Sequence, residues 1–207
     1  MSSGDPKTRT RILEATWRLM VERNGQGVRM RDVAEAAGVS RQAVYDHFGS
    51  RAELMVATAR YGDEVRGLDE RLGVYRAASG GVERLEAFVE FWGNYMPEIH
   101  GIARALLAAR ESDEAVAAAW EDRMRVVQEA CSDIVGRLQR DGALAPEWSL
   151  DEAGEMLWTL LSIGNWENLT LERGWPMSLY VARMKELTKH AFVRDSPKDR
   201  GRSHARR

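Results

Sequence analysis

Five side chains between positions 41 and 51, Arg41, Gln42, Tyr45, His47 and Arg51, offer hydrogen-bond donors or positive charge within a short stretch of chain. An Arg presents two parallel donors to guanine and a Gln amide pairs with adenine, each such contact discriminating between bases by about 1 to 3 kcal/mol. An Arg in the first turn of a helix neutralises a phosphate. This is recognition chemistry. Catalytic chemistry is poorly provided for: the four histidines, at 47, 100, 190 and 204, lack metal-ligand spacing, and neither a phosphate-cradling glycine loop nor a nucleophile elbow occurs. Cys131 stands alone, which excludes an internal disulfide and a multi-cysteine metal site; a buried apolar role is expected for it. The sequence therefore reads as a non-enzyme with no cofactor and no metal.

The donors need a rigid platform, and Met30 to Phe48 has the pattern of one. A short helix is expected from about Met30 to Ala37. Gly38 supplies the positive φ of a tight turn, and Ser40 caps the helix that follows. Ala34 is small enough to let two short helices cross steeply, while Val33, Val39, Val44 and Phe48 fill the wedge between them. With those positions committed to packing, Arg41, Gln42, Tyr45 and His47 are left facing outward.

Helical spacing continues through the rest of the chain, and strand patterns are nearly absent, so the fold class is all-α. Asp5-Pro6 opens a first helix that Asn24-Gly25 closes, and Ser50 with Glu53 starts a fourth. Val82, Leu85, Val89, Trp92 and Met96 form one buried stripe, after which Pro97 is expected to open a new helix. Trp120, Met124, Val127, Cys131, Ile134 and Leu138 form another, ending near Asp141-Gly142. Ser149 and Glu152 have capping-box spacing for a helix carried to about Leu171; Gly174 and Pro176 precede a last helix from Ser178 to Phe192.

Hydrophobic residues make up 44% and charged residues 30% of the 207 positions, values of an ordinary globular protein, and no membrane span or secretory signal is visible. A cytoplasmic address follows. The formal net charge is only −2, yet residues 1–60 hold 10 Lys and Arg against 7 Asp and Glu, whereas residues 61–193 hold 14 against 23. A basic head ahead of an acidic body suits a nucleic-acid reader joined to a domain that stays off the DNA.

Over roughly residues 8–58 the chain resembles the tetracycline-repressor (TetR) family of bacterial regulators, in Ala-Gly-Val-Ser (37–40), Val-Tyr-Asp-His-Phe (44–48) and Ser50-Arg51. The resemblance implies an N-terminal three-helix DNA-binding domain with a helix-turn-helix (1–60), a C-terminal helical effector-binding and dimerisation domain (61–195), and a disordered basic tail (196–207). It puts Arg41 and Gln42 at base edges in the major groove, and Tyr45, His47 and Arg51 at phosphates, with Ser40 alongside. The chain departs from the family pattern at Val28-Arg29, where the family usually has Ser or Thr. The shorter loop Gln26-Gly27-Val28 is expected to bring Arg29 and Arg31 toward the DNA backbone in place of that hydroxyl.

A recognition helix this short covers few base pairs, so a homodimer on a palindromic operator is expected. The family pairs its last two helices, here Leu157 to Leu171 and Tyr180 to Phe192, with Gly154, Ser162 and Gly164 permitting close approach. The family also implies a small-molecule pocket. Trp92, Tyr95, Trp120, Met124, Trp158 and Trp166 come from three separate predicted helices and suit its walls, with His100 and Asn165 as polar contacts. Gly62 and Gly67 would soften the helix leaving the DNA head. The expected function is a repressor released by a bulky hydrophobic effector; the alternative is a regulator controlled by a protein partner or acting as an activator.

Overall fold

The computed structural model describes residues 5–24 and 26–194; the expected basic tail at 196–207 lies outside them. The described residues form α1 (Pro6–Glu22), α2 (Met30–Ala37), α3 (Arg41–Phe48), α4 (Arg51–Val65), α5 (Leu68–Arg76), α6 (Gly81–Ala109), α7 (Glu114–Arg140), α8 (Leu150–Leu160), α9 (Ile163–Glu167) and α10 (Met177–Phe192), with a π-helical turn at Asn168–Glu172. No strand is present among them beyond a single bridge between Leu144 and Val193. The protein is all-α.

Local chemistry sets most of the boundaries. Asp5 accepts the Lys7 N–H at 3.2 Å ahead of Pro6, and the chain leaves α1 through Asn24 at φ 48°. Ser50 accepts the Glu53 N–H at 3.0 Å to start α4. At α8 a full capping box forms, Ser149 accepting the Glu152 N–H at 3.3 Å and Glu152 accepting the Ser149 N–H at 3.2 Å.

The chain folds into two compact units, one made of residues up to Asp69 with Pro97–Met124, the other of Glu70–Met96 with residues from Arg125 onward. In the first, α1 packs on α2 and α4 around Ile12, Leu13, Met20, Val33, Leu54 and Met55. Gly101 lies so close to α1 that a Cβ there would stand 2.2 Å from the Met20 carbonyl oxygen. Ion pairs Arg123–Asp63 (2.7 Å) and Arg66–Glu98 (3.5 Å) add to it. In the second, Leu85, Val89, Ile134, Leu138, Tyr180 and Phe192 are buried, and Gly81 meets the backbone of Leu138 where a Cβ would be 2.7 Å from its nitrogen. Burial alone pushes the Cys131 thiol up to about 12, consistent with an inert core residue.

Three expectations need correcting, and one helix is additional to them. Pro97 does not open a helix but lies inside α6, where it leaves the carbonyl of residue 93 without its usual amide partner. The helix expected to run to Leu171 stops at Leu160, because Ser162 accepts the Asn165 N–H at 3.4 Å and Asn165 Nδ2 donates to the Thr159 carbonyl at 2.8 Å, which together begin α9. Gly62 does not soften α4: it seats the indole of Trp17, whose nearest ring atom would be 1.8 Å from a Cβ. Helix α5 was not anticipated, since it carries a single buried side chain, Tyr75, and so lacks an apolar stripe.

Candidate nucleic-acid interface

Helices α2 and α3 meet as the sequence requires of a helix-turn-helix. Gly38 takes the left-handed conformation at φ 64°, and the Val39 N–H returns to the Ala34 carbonyl at 3.0 Å, closing α2. Val33, Ala34, Val44 and Phe48 are buried between the helices, with Val39 half-buried. Ser40 Oγ accepts the Ala43 N–H at 3.1 Å, which fixes the start of α3 and leaves the hydroxyl hydrogen for an external acceptor. Arg9 of α1 rests its guanidinium 5.0 Å from the centroid of Phe48 and clamps the far end of α3.

The outward face of α3 carries two side-chain pairs one turn apart. Arg41 lies over the Tyr45 ring at 5.5 Å, with an Nη2 nitrogen 3.5 Å from the phenol oxygen. Gln42 Nε2 donates to Asp46 Oδ1 at 2.8 Å. Arg41, Gln42 and Asp46 are exposed, and Tyr45 and His47 half-buried. His47, in the last turn, tilts against Phe48 at 6.2 Å. The structure thus gathers all four predicted α3 side chains on one helix.

The three remaining predicted contacts surround the start of α2. Arg29 provides no acceptor, so the cap missing at this position is supplied from the other direction: Asp32 accepts the Arg29 N–H at 3.3 Å. The Arg23 guanidinium, 2.7 Å from Asp32, holds its carboxyl below the usual carboxylate range, with Arg31 at 3.3 Å on the other oxygen. Arg51 Nε donates to the Val28 carbonyl at 3.0 Å, tying the first turn of α4 to the loop before α2. Arg29, Arg31 and Arg51 remain exposed.

The eight residues put forward for an effector pocket fall into two groups. Trp92, Tyr95, Trp158, Asn165 and Trp166 belong to the second unit, and His100, Trp120 and Met124 to the first. Trp92 Nε1 donates to the Leu161 carbonyl at 2.7 Å, and its ring stacks on Phe88 at 6.2 Å. Tyr95 stacks on Phe91 at 5.3 Å beneath the Arg71 guanidinium. Trp166, His100 and Trp120 are buried, Asn165 and Met124 half-buried, and Trp158 lies at the surface of α8.

Residues 12–58 match the family described as bacterial regulatory proteins, tetR family. This match places the segment, about a quarter of the chain, in the TetR family. Among its relatives, the transcriptional repressor AcnR of Corynebacterium glutamicum is 26% identical over 163 residues, 78% of this chain and 82% of AcnR. The transcriptional activator FasR of Mycolicibacterium smegmatis is 30% identical over 139 residues, 66% of this chain and 61% of FasR. In three dimensions the chain is similar to a transcriptional regulator of Saccharomonospora viridis solved in complex with choline, at TM-score 0.81 and 20% identity, covering 92% of this chain and all of that one (100%). These relatives are transcriptional regulators and not enzymes.

Three residues of the TetR-family head escaped the sequence reading. Asp46 was legible in principle, because position 46 is four residues from Gln42 and side chains so spaced meet on a helix. Arg23 and Arg9 were not: their partners, Asp32 and Phe48, lie across turns whose path no local spacing specifies.

Proposed function

We propose that this TetR-family regulator is a repressor that binds palindromic operator DNA as a homodimer and leaves it when a small, bulky hydrophobic effector binds its body. The observation that carries the DNA reading is the face of α3, where Arg41 and Gln42 stand exposed on a helix held by Gly38, Ser40 and Phe48. In this reading residues 1–60 are the DNA-binding domain. Arg41 and Gln42 meet base edges, while Ser40, Tyr45, His47, Arg29, Arg31 and Arg51 meet phosphates.

Dimerisation through the last helices is supported by large apolar side chains left at the surface there. Met156 and Trp158 on α8 are 41% and 36% exposed, and Leu179 and Leu187 on α10 are 37% and 48%. A shallow apolar groove of Leu169, Trp175, Met184 and Leu187 continues this surface, rimmed by Arg183, Glu186 and His190. Such a patch suits a self-complementary interface.

The effector reading draws on the choline complex of the Saccharomonospora viridis regulator and on the aromatic residues of this chain: Trp92, Tyr95, Trp120, Met124, Trp158 and Trp166, with His100 and Asn165 as polar contacts. An effector releases DNA only by binding the DNA-incompetent dimer more tightly, with a coupling of about 1 to 3 kcal/mol. A second reading, activation, is favoured by the resemblance to FasR. A partner that is chromosomal DNA puts the protein in the cytoplasm.

The test is a mobility-shift assay on the DNA flanking the protein's own gene, with and without hydrophobic or cationic aromatic ligands, followed by transcription from that DNA in a reporter. Repression relieved by ligand supports the reading, and stimulation supports activation. Binding no stronger than to competitor duplex rejects both.

A further inference from the structure

The geometry points to Asp46 as a positioning residue that sets which base Gln42 reads; the inference rests on the proposed DNA contact of α3. Asp46 is at first sight misplaced. It puts a negative charge on the face that must approach a polyanion, where it opposes binding at every sequence alike. Its hydrogen bond gives it a use that its charge alone does not.

A glutamine amide has a carbonyl oxygen that accepts and an amine that donates two hydrogens. Left free, it rotates and flips, so it serves several base edges. At this position the neighbouring carboxylate accepts only, which makes Nε2 the atom that turns toward it, at 2.8 Å from Oδ1. Two things follow for the side of Gln42 that faces away from Asp46. The carbonyl oxygen is directed outward, and one amine hydrogen is left to accompany it. That pair, one acceptor and one donor, complements the N6 amine and N7 of adenine in the major groove. Guanine presents two acceptors, O6 and N7, so the outward carbonyl meets a lone pair and a single hydrogen remains for two positions. Asp46 therefore converts a permissive amide into one that selects an A·T pair over a G·C pair once in each half-site. The neighbouring Arg41–Tyr45 contact is separate: Arg41 has five N–H donors and no acceptor, so its preference for guanine does not depend on Asp46.

The experiment selects binding sites for the full-length protein from a random duplex library and measures affinity for the selected operator with each A·T pair exchanged for G·C. The same series is run for Gln42→Ala, Asp46→Ala, the isosteric Asp46→Asn, and the double variant Gln42→Ala with Asp46→Ala, each checked for helicity. We expect one position per half-site at which the parent prefers A·T and Gln42→Ala does not. At that position Asp46→Ala and Asp46→Asn reduce the preference about tenfold, leave the guanine read by Arg41 unchanged, and tighten binding to random duplex. In the Gln42→Ala background, Asp46→Ala has no further effect on preference. Asp46 variants that keep the parent's preference there, or weaken every position equally, overturn the inference while leaving the DNA reading intact. A parent protein that selects no sequence overturns the DNA reading itself.

Discussion

Arg41 and Arg51 carry the same charge into different surroundings, and their variants should separate accordingly. Among the described residues the exposed Arg41 pairs with Tyr45 of its own helix, so Arg41→Ala should remove base discrimination of about 1 to 3 kcal/mol at one position and leave the fold untouched. Operator variants measured against random duplex check this, and equal losses on both would reject its role. Arg51 also ties α4 to the Val28 carbonyl, so Arg51→Ala should weaken binding to all sequences, flatten the dependence of log affinity on log salt by about one charge, and lower the melting temperature as well. Asp32 gives a pH signature. Its carboxyl is lowered in the folded state, first by Arg23, so the stability it contributes is complete at neutral pH and lost as pH falls through that lowered value, beneath the ordinary range near about 4. Thermal melts of Asp32→Asn should thus lie below the parent at neutral pH and converge with it in acid; parallel curves would contradict the assignment. At this scale the donors were readable because residue type and spacing alone define them. The ion pair of Arg23 with Asp32 was not, because it depends on how the chain crosses residues 24–28.

Among the elements, two glycines distinguish a conformational requirement from a packing one. A Cβ at Gly38 would meet nothing within 4 Å, so Gly38→Ala carries only the strain of the left-handed region, about 1 to 2 kcal/mol. At Gly101 the obstacle is the backbone of Met20, which cannot rotate aside, so Gly101→Ala should destabilise by more, at the upper end of the about 1 to 3 kcal/mol typical of overpacking or beyond. Denaturant titrations of both variants test the ordering. The turn glycine was legible because its partners are its sequence neighbours; the close approach of α6 to α1 joins residues some eighty positions apart and leaves no local trace. The same distinction explains the errors at α6 and α8. Pro97 has the local marks of a helix start, whereas α6 runs through it from Gly81 to Ala109. The stop after Leu160 depends on a Ser and an Asn capping over three to six residues, a weaker signal than the apolar stripe that continues past it.

For the molecule as a whole, the proposed dimer and the proposed DNA contact are linked through the size of the site. A single α3 covers too few base pairs for tight, specific binding, so loss of the dimer should appear as loss of operator affinity. Leu179→Glu with Leu187→Glu places two charges on the exposed face of α10 and should yield monomers by sedimentation velocity, with helicity retained because neither side chain is buried within a single chain, and with a melting temperature lowered by the lost association. A stable dimer in this variant would put the interface elsewhere. The all-helical class and the basic head were visible from spacing and charge, since both are sums over many residues. The grouping of Pro97–Met124 with the N-terminal helices was not, because it depends on contacts between residues far apart in the chain.

Trp17 is the only one of the seven tryptophans that precedes position 60. Its ring is pressed against the bare α-carbon of Gly62 and lies under the Arg66 guanidinium, 3.7 Å from the centroid; it is 7% exposed, and its indole N–H has no acceptor among the described residues. An indole so shielded from water emits at short wavelength. With the other six replaced by phenylalanine, the DNA-binding head would therefore carry its own fluorophore, and a red shift in emission would report loosening of α1 from α4 without any attached dye.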